Sequence, residues 1–181
     1  MANDLLGNVW VVDTVGIVTT KPITLAAIGF YPAAQSDACV LNWWDEGNAV
    51  SGSDRALKNA TITSTTTFTD SDTGGVLTGA RYPAMSILKI IDGNGSTANH
   101  TYHLIETAGD NNAIVTGATL TNEANKSYHI VCYPHHAAFL GKQPNDTNEE
   151  FLWYPFPVPF RFRNLVLDSI STSAKVVLYL A

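Results

Sequence analysis

The chain has 181 residues, of which 45% are hydrophobic, 10% aromatic and only 14% charged. That length fits a single domain with enough apolar material for a proper core, and the proportions exclude disorder over the whole chain, which needs low hydrophobicity with high charge. Ten Lys and Arg against sixteen Asp and Glu leave a net charge of −6, which excludes a protein that grips phosphate backbones through a concentrated basic face.

The chain holds 20 Thr, 14 Val and 11 Ile, 45 of 181 residues in β-branched types that lose rotamer freedom in helices. Short apolar runs recur, each closed by Gly, Asn, Asp or Pro, so the chain is read as strands and turns. Val9 to Val12 and Gly16 to Thr19 flank Asp13 and Thr14, and Ile23 to Tyr31 ends at Pro32. Ala38 to Trp44 ends at Asp45, Glu46 and Gly47; Thr61 to Thr69 is expected as one Thr-rich strand. Met85 to Ile91 meets Asp92-Gly93-Asn94-Gly95, residues that tolerate the positive φ of hairpin turns, and Tyr102 to Glu106 answers as the partner strand.

Ile114 to Leu120 and Tyr128 to Tyr133 follow. Short helices are expected only at Ser53 to Asn59 and His135 to Gly141, and Gln143 to Glu150 is expected as a surface loop. In Trp153-Tyr154-Pro155-Phe156-Pro157-Val158-Pro159-Phe160 three alternate prolines forbid a central strand, and an extended polyproline-like arm over 153–160 is expected. Phe160 to Leu167 and Ala174 to Leu180 close the chain, with a turn at Asp168 to Ser173. About ten short strands with little helix and no βαβ alternation define an all-β class, an antiparallel β-sandwich or jelly roll. One domain over 1–181 is expected, with an outer β extension or linker around 51–80.

Met1 to Gly7 lacks the pattern of a secretory signal, and no run reaches the roughly 18 apolar residues of a membrane span, so a cytosolic origin is expected. Cys39 and Cys132 are then expected as buried free thiols. His100, His103, His129, His135 and His136 raise a metal hypothesis, but no His-x-His occurs and adjacent histidines in a strand point to opposite faces. Asp70-Ser71-Asp72-Thr73-Gly74-Gly75 opens like a calcium loop, yet its twelfth position is Arg81 where a bidentate Glu is needed. The pairs Asp45 with Glu46 and Glu149 with Glu150 are the acids a glycosidase would need, and their turn-like contexts favour solvated acids. With no nucleophile elbow, phosphate loop or dinucleotide fingerprint, no enzyme and no cofactor are expected.

The aromatics carry more. Trp43 and Trp44 are adjacent, so one faces the core and the other outward, where it would anchor an interface or stack on a sugar ring. Trp43, Trp44, Trp153, Tyr154, Phe156 and Phe160 are the interface candidates.

The opening Asn8-Val9-Trp10-Val11-Val12-Asp13-Thr14-Val15-Gly16, followed by Pro22 to Ile28, resembles the start of small virion proteins of tailed bacteriophages, and Leu165 to Leu180 is similar to their closing hairpin. The matched segments cover the two ends of the chain; the middle, about Ser51 to Phe160, is longer than in the small versions. The resemblance implies a capsid decoration or cement protein, a homotrimer clamping the major capsid protein on the virion surface after assembly in the host cytoplasm, with no catalytic residues, no nucleic acid and no membrane. A tail-associated or free carbohydrate-binding β-sandwich using Trp43 or Trp44 is the alternative.

Overall fold

A computed structural model describes residues 4–49, 55–56, 61–62, 64–69, 84–93, 100–108, 112–115, 120–123, 128–143 and 151–181. These residues form no helix and sixteen strands in antiparallel sheets, more than the ten expected. In chain order the strands are β1 (Asp4–Leu6), β2 (Val9–Val12), β3 (Gly16–Thr19), β4 (Ile23–Tyr31), β5 (Ala38–Trp44), β6 (Arg55–Ala56), β7 (Thr61–Ile62), β8 (Thr67–Thr69), β9 (Ile87–Gly93), β10 (Tyr102–Ala108), β11 (Asn112–Val115), β12 (Tyr128–Tyr133), β13 (His135–Lys142), β14 (Leu152–Phe162), β15 (Leu165–Ile170) and β16 (Lys175–Leu180). The chain divides into two compact units, one made of Met1–Trp43 with His136–Ala181, the other of Trp44–His135.

The first unit contains a five-stranded sheet, β1-β2-β16-β4-β14, and a four-stranded sheet, β13-β5-β15-β3. Alternation along each strand explains why they pack as a sandwich. From the five-stranded sheet Val12, Ile28, Phe30, Val176 and Leu178 enter one core cluster, and Val18, Cys39, Leu41, Leu165 and Leu167 enter it from the other sheet. The intervening residues Val11, Gly29, Tyr31, Val177 and Tyr179 belong to the opposite, outer face of the five-stranded sheet. Burial of a side chain such as Leu178 contributes about 1.5–3 kcal/mol. Both chain ends build this sheet, since β16 pairs with β2 at Val176 to Val12 and Leu178 to Trp10.

The second unit is a seven-stranded sheet, β6-β12-β9-β10-β11-β8-β7, with its own cluster of Ile62, Phe68, Leu88, Ile90, Ile105, Leu120, Tyr128, Ile130 and Cys132. The β9–β10 pairing expected from the sequence is present, with Tyr102 opposite Lys89. Its turn at Asn94-Gly95 lies outside the described residues, and Asp92 and Gly93 continue the strand.

Three expectations are corrected. Thr61 to Thr69 is a hairpin rather than one strand: β7 and β8 pair with Thr61 opposite Thr69, and the Ser64 hydroxyl accepts from the amides of Thr66 and Thr67 to form the bend. Short hydroxyl side chains that bond their own backbone favour a turn even inside a β-branched run. His135 to Gly141 is a strand, not a helix, because Phe139 and Ala138 find a hydrophobic cluster to pack on in extended form. Phe160 to Leu167 is interrupted at Arg163 and Asn164, where β14 ends and β15 begins. Much of the extension expected around 51–80, most of the helix expected at Ser53 to Asn59, and most of the loop expected at Gln143 to Glu150 lie outside the described residues.

Candidate interaction surface

Strand β14 is the edge of the five-stranded sheet and pairs only with β4 there. Its ladder runs from Leu152 opposite Phe30 to Pro155 opposite Ala27, breaks, and resumes at Phe160 opposite Leu25. The arm expected as polyproline is thus a strand, and the prolines decide which kind. Pro155, Pro157 and Pro159 offer no N–H, so the segment is tolerated at an edge and cannot template a further strand through a regular ladder. Any partner for this edge must be held by side chains.

Those side chains are apolar and uncovered. Trp153 is 46% exposed, Tyr154 41%, Val158 75% and Phe160 54%, whereas Phe156 is half-buried against the core cluster. The strand's aromatics fall into two groups. Phe160 packs 4.7 Å from Phe162, with Phe156 at 6.2 Å and 6.3 Å from these two rings. Tyr154 meets the edge of Phe139 at 4.8 Å.

Trp153, opposite Gly29, belongs to the outer sheet face instead and stands edge-on to Tyr179 at 4.5 Å. Phe151 extends this row, 6.0 Å from Trp153 and stacked on Tyr31 at 4.1 Å. The row depends on a missing side chain: a Cβ on Gly29 would lie 2.5 Å from the Phe151 ring and 3.4 Å from Tyr179. Burial, then the hydrogen bond with the Tyr31 side chain, raises the Tyr179 phenol above its ordinary value.

The tryptophan pair behaves differently from expectation. Trp44 is completely buried, its ring 5.7 Å from Tyr102, and so presents no surface to a partner. Trp43 is half-buried against the core cluster and lies 4.9 Å from His136. Neither is the freely outward ring on which the sugar-stacking alternative was placed. Alternation assigned the two rings to opposite faces, but a face can be covered by other parts of the chain.

Of the acids, Glu46 accepts hydrogen bonds from Lys89 Nζ at 2.5 Å and from the Tyr102 hydroxyl, while Asp45 accepts from the Gly47 amide at 3.0 Å. Burial pulls the Lys89 ammonium down, but its bonds and attraction to Glu46 and Tyr102 outweigh that and leave it raised. The Tyr102 phenol is raised by burial and by Glu46. Glu46 is thus engaged in a surface ion pair. The pair Glu149 with Glu150 and the loop Asp70 to Gly75 lie outside the described residues.

Among the described residues no three His, Cys, Asp or Glu side chains gather as a metal-holding group. His103 is buried beside Thr101 Oγ1 at 3.0 Å, and burial lowers its imidazole to about 4. Cys39 and Cys132 are buried free thiols, each pushed up to about 11 by burial, with Cys132 Sγ 3.0 Å from the Ser86 hydroxyl. Neither has the depressed pKa of a nucleophile. A buried polar contact joins the Asn42 amide to Asp168 in the four-stranded sheet, at the register break of β15 against β5. No helix among the described residues is long and apolar enough to cross a membrane.

These features define an all-β protein in which the exposed large apolar residues, among those described, lie on one sandwich unit. Comparison of the chain with protein-family models, with curated proteins and with solved structures finds no match.

Proposed function

We propose that this chain is a non-enzymatic structural protein of a bacteriophage virion, a decoration or cement protein that associates with copies of itself and with the major capsid protein on the head surface. The observation that carries the association is the edge strand β14, where Trp153, Tyr154, Val158 and Phe160 stand exposed on a segment whose prolines block strand addition. A stiff arm of this kind loses little entropy on docking, and aromatic anchors at its centre supply most of the binding energy. The resemblance of Asn8 to Gly16, Pro22 to Ile28 and Leu165 to Leu180 to small tailed-phage virion proteins supports the virion assignment. Those segments form β2, most of β4, β15 and β16, all within the first unit.

Light scattering on the purified chain, followed by mixing with undecorated capsids, tests the proposal. A trimer of the 19.5 kDa chain that is retained on shells is expected. Phe160→Ser should reduce both the mass and the retention while leaving the β-sheet spectrum intact. A monomer indifferent to shells overturns the reading.

A further inference from the structure

The exposed cations of the first unit gather at one end of the sandwich. Strand β14 gives way to β15 at Arg163 and Asn164, and the chain from β3 to β4 makes the matching crossing at Thr20, Lys21 and Pro22. The two crossings run side by side, because Phe162 stands opposite Ile23 at one end of them and Leu165 opposite Thr19 at the other. The Thr19 hydroxyl fixes the backbone of Lys21, accepting from its amide at 3.0 Å and donating to its carbonyl at 3.2 Å. Arg161 lies one ladder step away, opposite Thr24. Lys21, Arg161 and Arg163 are all exposed.

The described acids of the unit stand elsewhere. Asp4, opposite Val11, and Asp13, just past β2, belong to the Lys175 end of the five-stranded sheet. Asp37 accepts from the amides of Ala33 and Ala34, and Asp168 is buried against Asn42. The Ala181 amide donates to the Thr24 carbonyl from the β16 flank of β4, which sets the Ala181 carboxylate two strand spacings, roughly 10 Å, from Arg161. Among the described residues neither Lys21 nor Arg161 has an ion-pair partner. On a chain of net charge −6, this end thus carries three cations bordered by the exposed Val158 and Phe160 of the edge strand.

We propose that this basic end docks an acidic segment of a protein partner, whose carboxylates pair with Lys21, Arg161 and Arg163 while its apolar side chains rest on Val158 and Phe160. The inference rests on the reading of β14 as an association edge and adds the chemistry of what that end meets. Charge complementarity selects the occupant. A guanidinium holds a carboxylate through two parallel N–H···O bonds, which two arginines two residues apart offer twice. A second copy meeting this end through the same surface would set three cations against three, so the patch is assigned to a partner other than a copy. Gripping a nucleic acid backbone draws on about six to ten phosphate contacts, more than three cations on a negatively charged chain supply. A small anion would use the cations alone and leave Val158 and Phe160 in water.

The test is fluorescence anisotropy of a labelled peptide of repeated Glu-Glu-Leu titrated with the full chain, beside its Gln-Gln-Leu analogue and a labelled oligothymidylate, with light scattering on every variant. Saturable binding of the Glu peptide is expected, weakened about tenfold or more in the Gln analogue, in Arg161→Glu and in Lys21→Glu, and falling as salt is raised. Arg161→Lys should weaken it less than Arg161→Glu, and the oligomeric mass should be unchanged in all of these. No binding of the Glu peptide, equal binding of the Gln analogue, or tighter binding of oligothymidylate overturns the proposal. A fall in mass in Arg161→Glu and Lys21→Glu also overturns it, since the cations would then join copies of the chain. The two readings fail separately: a trimer retained on shells that ignores the Glu peptide sinks only the acidic partner, whereas a monomer indifferent to shells sinks the association reading even where the peptide binds.

Discussion

Among the described residues the two units differ in how many aromatic rings they leave exposed. In the second unit the described rings of Trp44, Phe68 and Tyr128 are internal: all three are buried, Phe68 packs edge-on to Tyr128 at 6.0 Å, and the Tyr128 hydroxyl donates to Glu123. In the first unit Phe30 and Phe162 are enclosed in a core otherwise filled by aliphatic residues of two sheets, and Tyr31, Phe151, Trp153, Tyr154 and Phe160 stand exposed at an edge and on an outer face. All the exposed large hydrophobic residues among those described, from Leu6 and Tyr31 through Leu140 and Phe151 to Phe160, fall in the first unit. Monomeric proteins rarely expose contiguous apolar patches without a use for them. The comparison therefore separates rings that hold a fold together from rings available to a partner.

A matched pair of tryptophan substitutions breaks or sustains this contrast most directly. Trp44→Ala is expected to cost about 3–5 kcal/mol in urea unfolding, because a fully enclosed ring leaves a cavity. Trp153→Ala, at a half-exposed ring, should cost no more than about 1.5 kcal/mol, mainly the lost contact with Tyr179. Equal losses at both positions would erase the distinction between the units.

Acid should act on the second unit in particular. His103 is held neutral with a pKa of about 4 against an ordinary 6.5, so the unfolded chain binds a proton that the folded one does not between those values. Its contribution is present above pH 6.5 and is lost as pH falls toward 4, a change of about 3 kcal/mol. Unfolding curves at pH 7, 5.5 and 4.5 for the natural chain and for His103→Gln measure it; a variant with the same slope as the parent through this window would show that another group carries the effect.

Two glycines sharpen the contrast within the first unit. A Cβ on Gly141 would sit 2.8 Å from Cys39 Sγ and 3.0 Å from Phe30, both enclosed, and Gly141→Ala should cost about 1–3 kcal/mol. The Cβ of Gly29→Ala meets the Phe151 ring, which is partly exposed and can swing away, so the cost is the stacking on Tyr31, about 0.5–1.5 kcal/mol. Thermal unfolding of the two variants side by side should rank them in that order. The smallest change in stability belongs to Val158→Ser on the edge strand, within about 0.5 kcal/mol, yet its sedimenting mass should fall if the edge joins copies of the chain.

Much of the strand framework was legible because it depends on local chemistry. Val9 to Val12, Gly16 to Thr19, Ile23 to Tyr31 and Tyr128 to Tyr133 match β2, β3, β4 and β12 residue for residue, each being an apolar run cut by turn formers. The prolines of the 153–160 segment excluded a central strand, but the polyproline-like arm expected there is an edge strand. The candidate surface was legible only in part. Trp153, Tyr154 and Phe160 stand exposed as interface candidates would, but Trp44 does not, and Tyr31, Phe151 and Tyr179 passed unremarked at the ends of ordinary apolar runs. The one available signal was Gly29, a glycine inside a strand, which marks a close approach of another group.

The sequence by itself determined the all-β class, the antiparallel pairing of neighbours such as β9 and β10, and that the proline-rich segment is no central strand, since β-branched content, turn residues and missing N–H groups act over a few residues. Only the tertiary structure decided that the two chain ends lie side by side in one sheet, that Trp44 is enclosed while Trp153 is not, and that Tyr31, Phe151, Trp153 and Tyr179 form one row. The physical reason is that alternation fixes which face a side chain takes, whereas burial depends on what packs over that face. Here covering or bordering residues come from distant segments, as Tyr102 does for Trp44 and Phe151 for Tyr31, where no local pattern can register them.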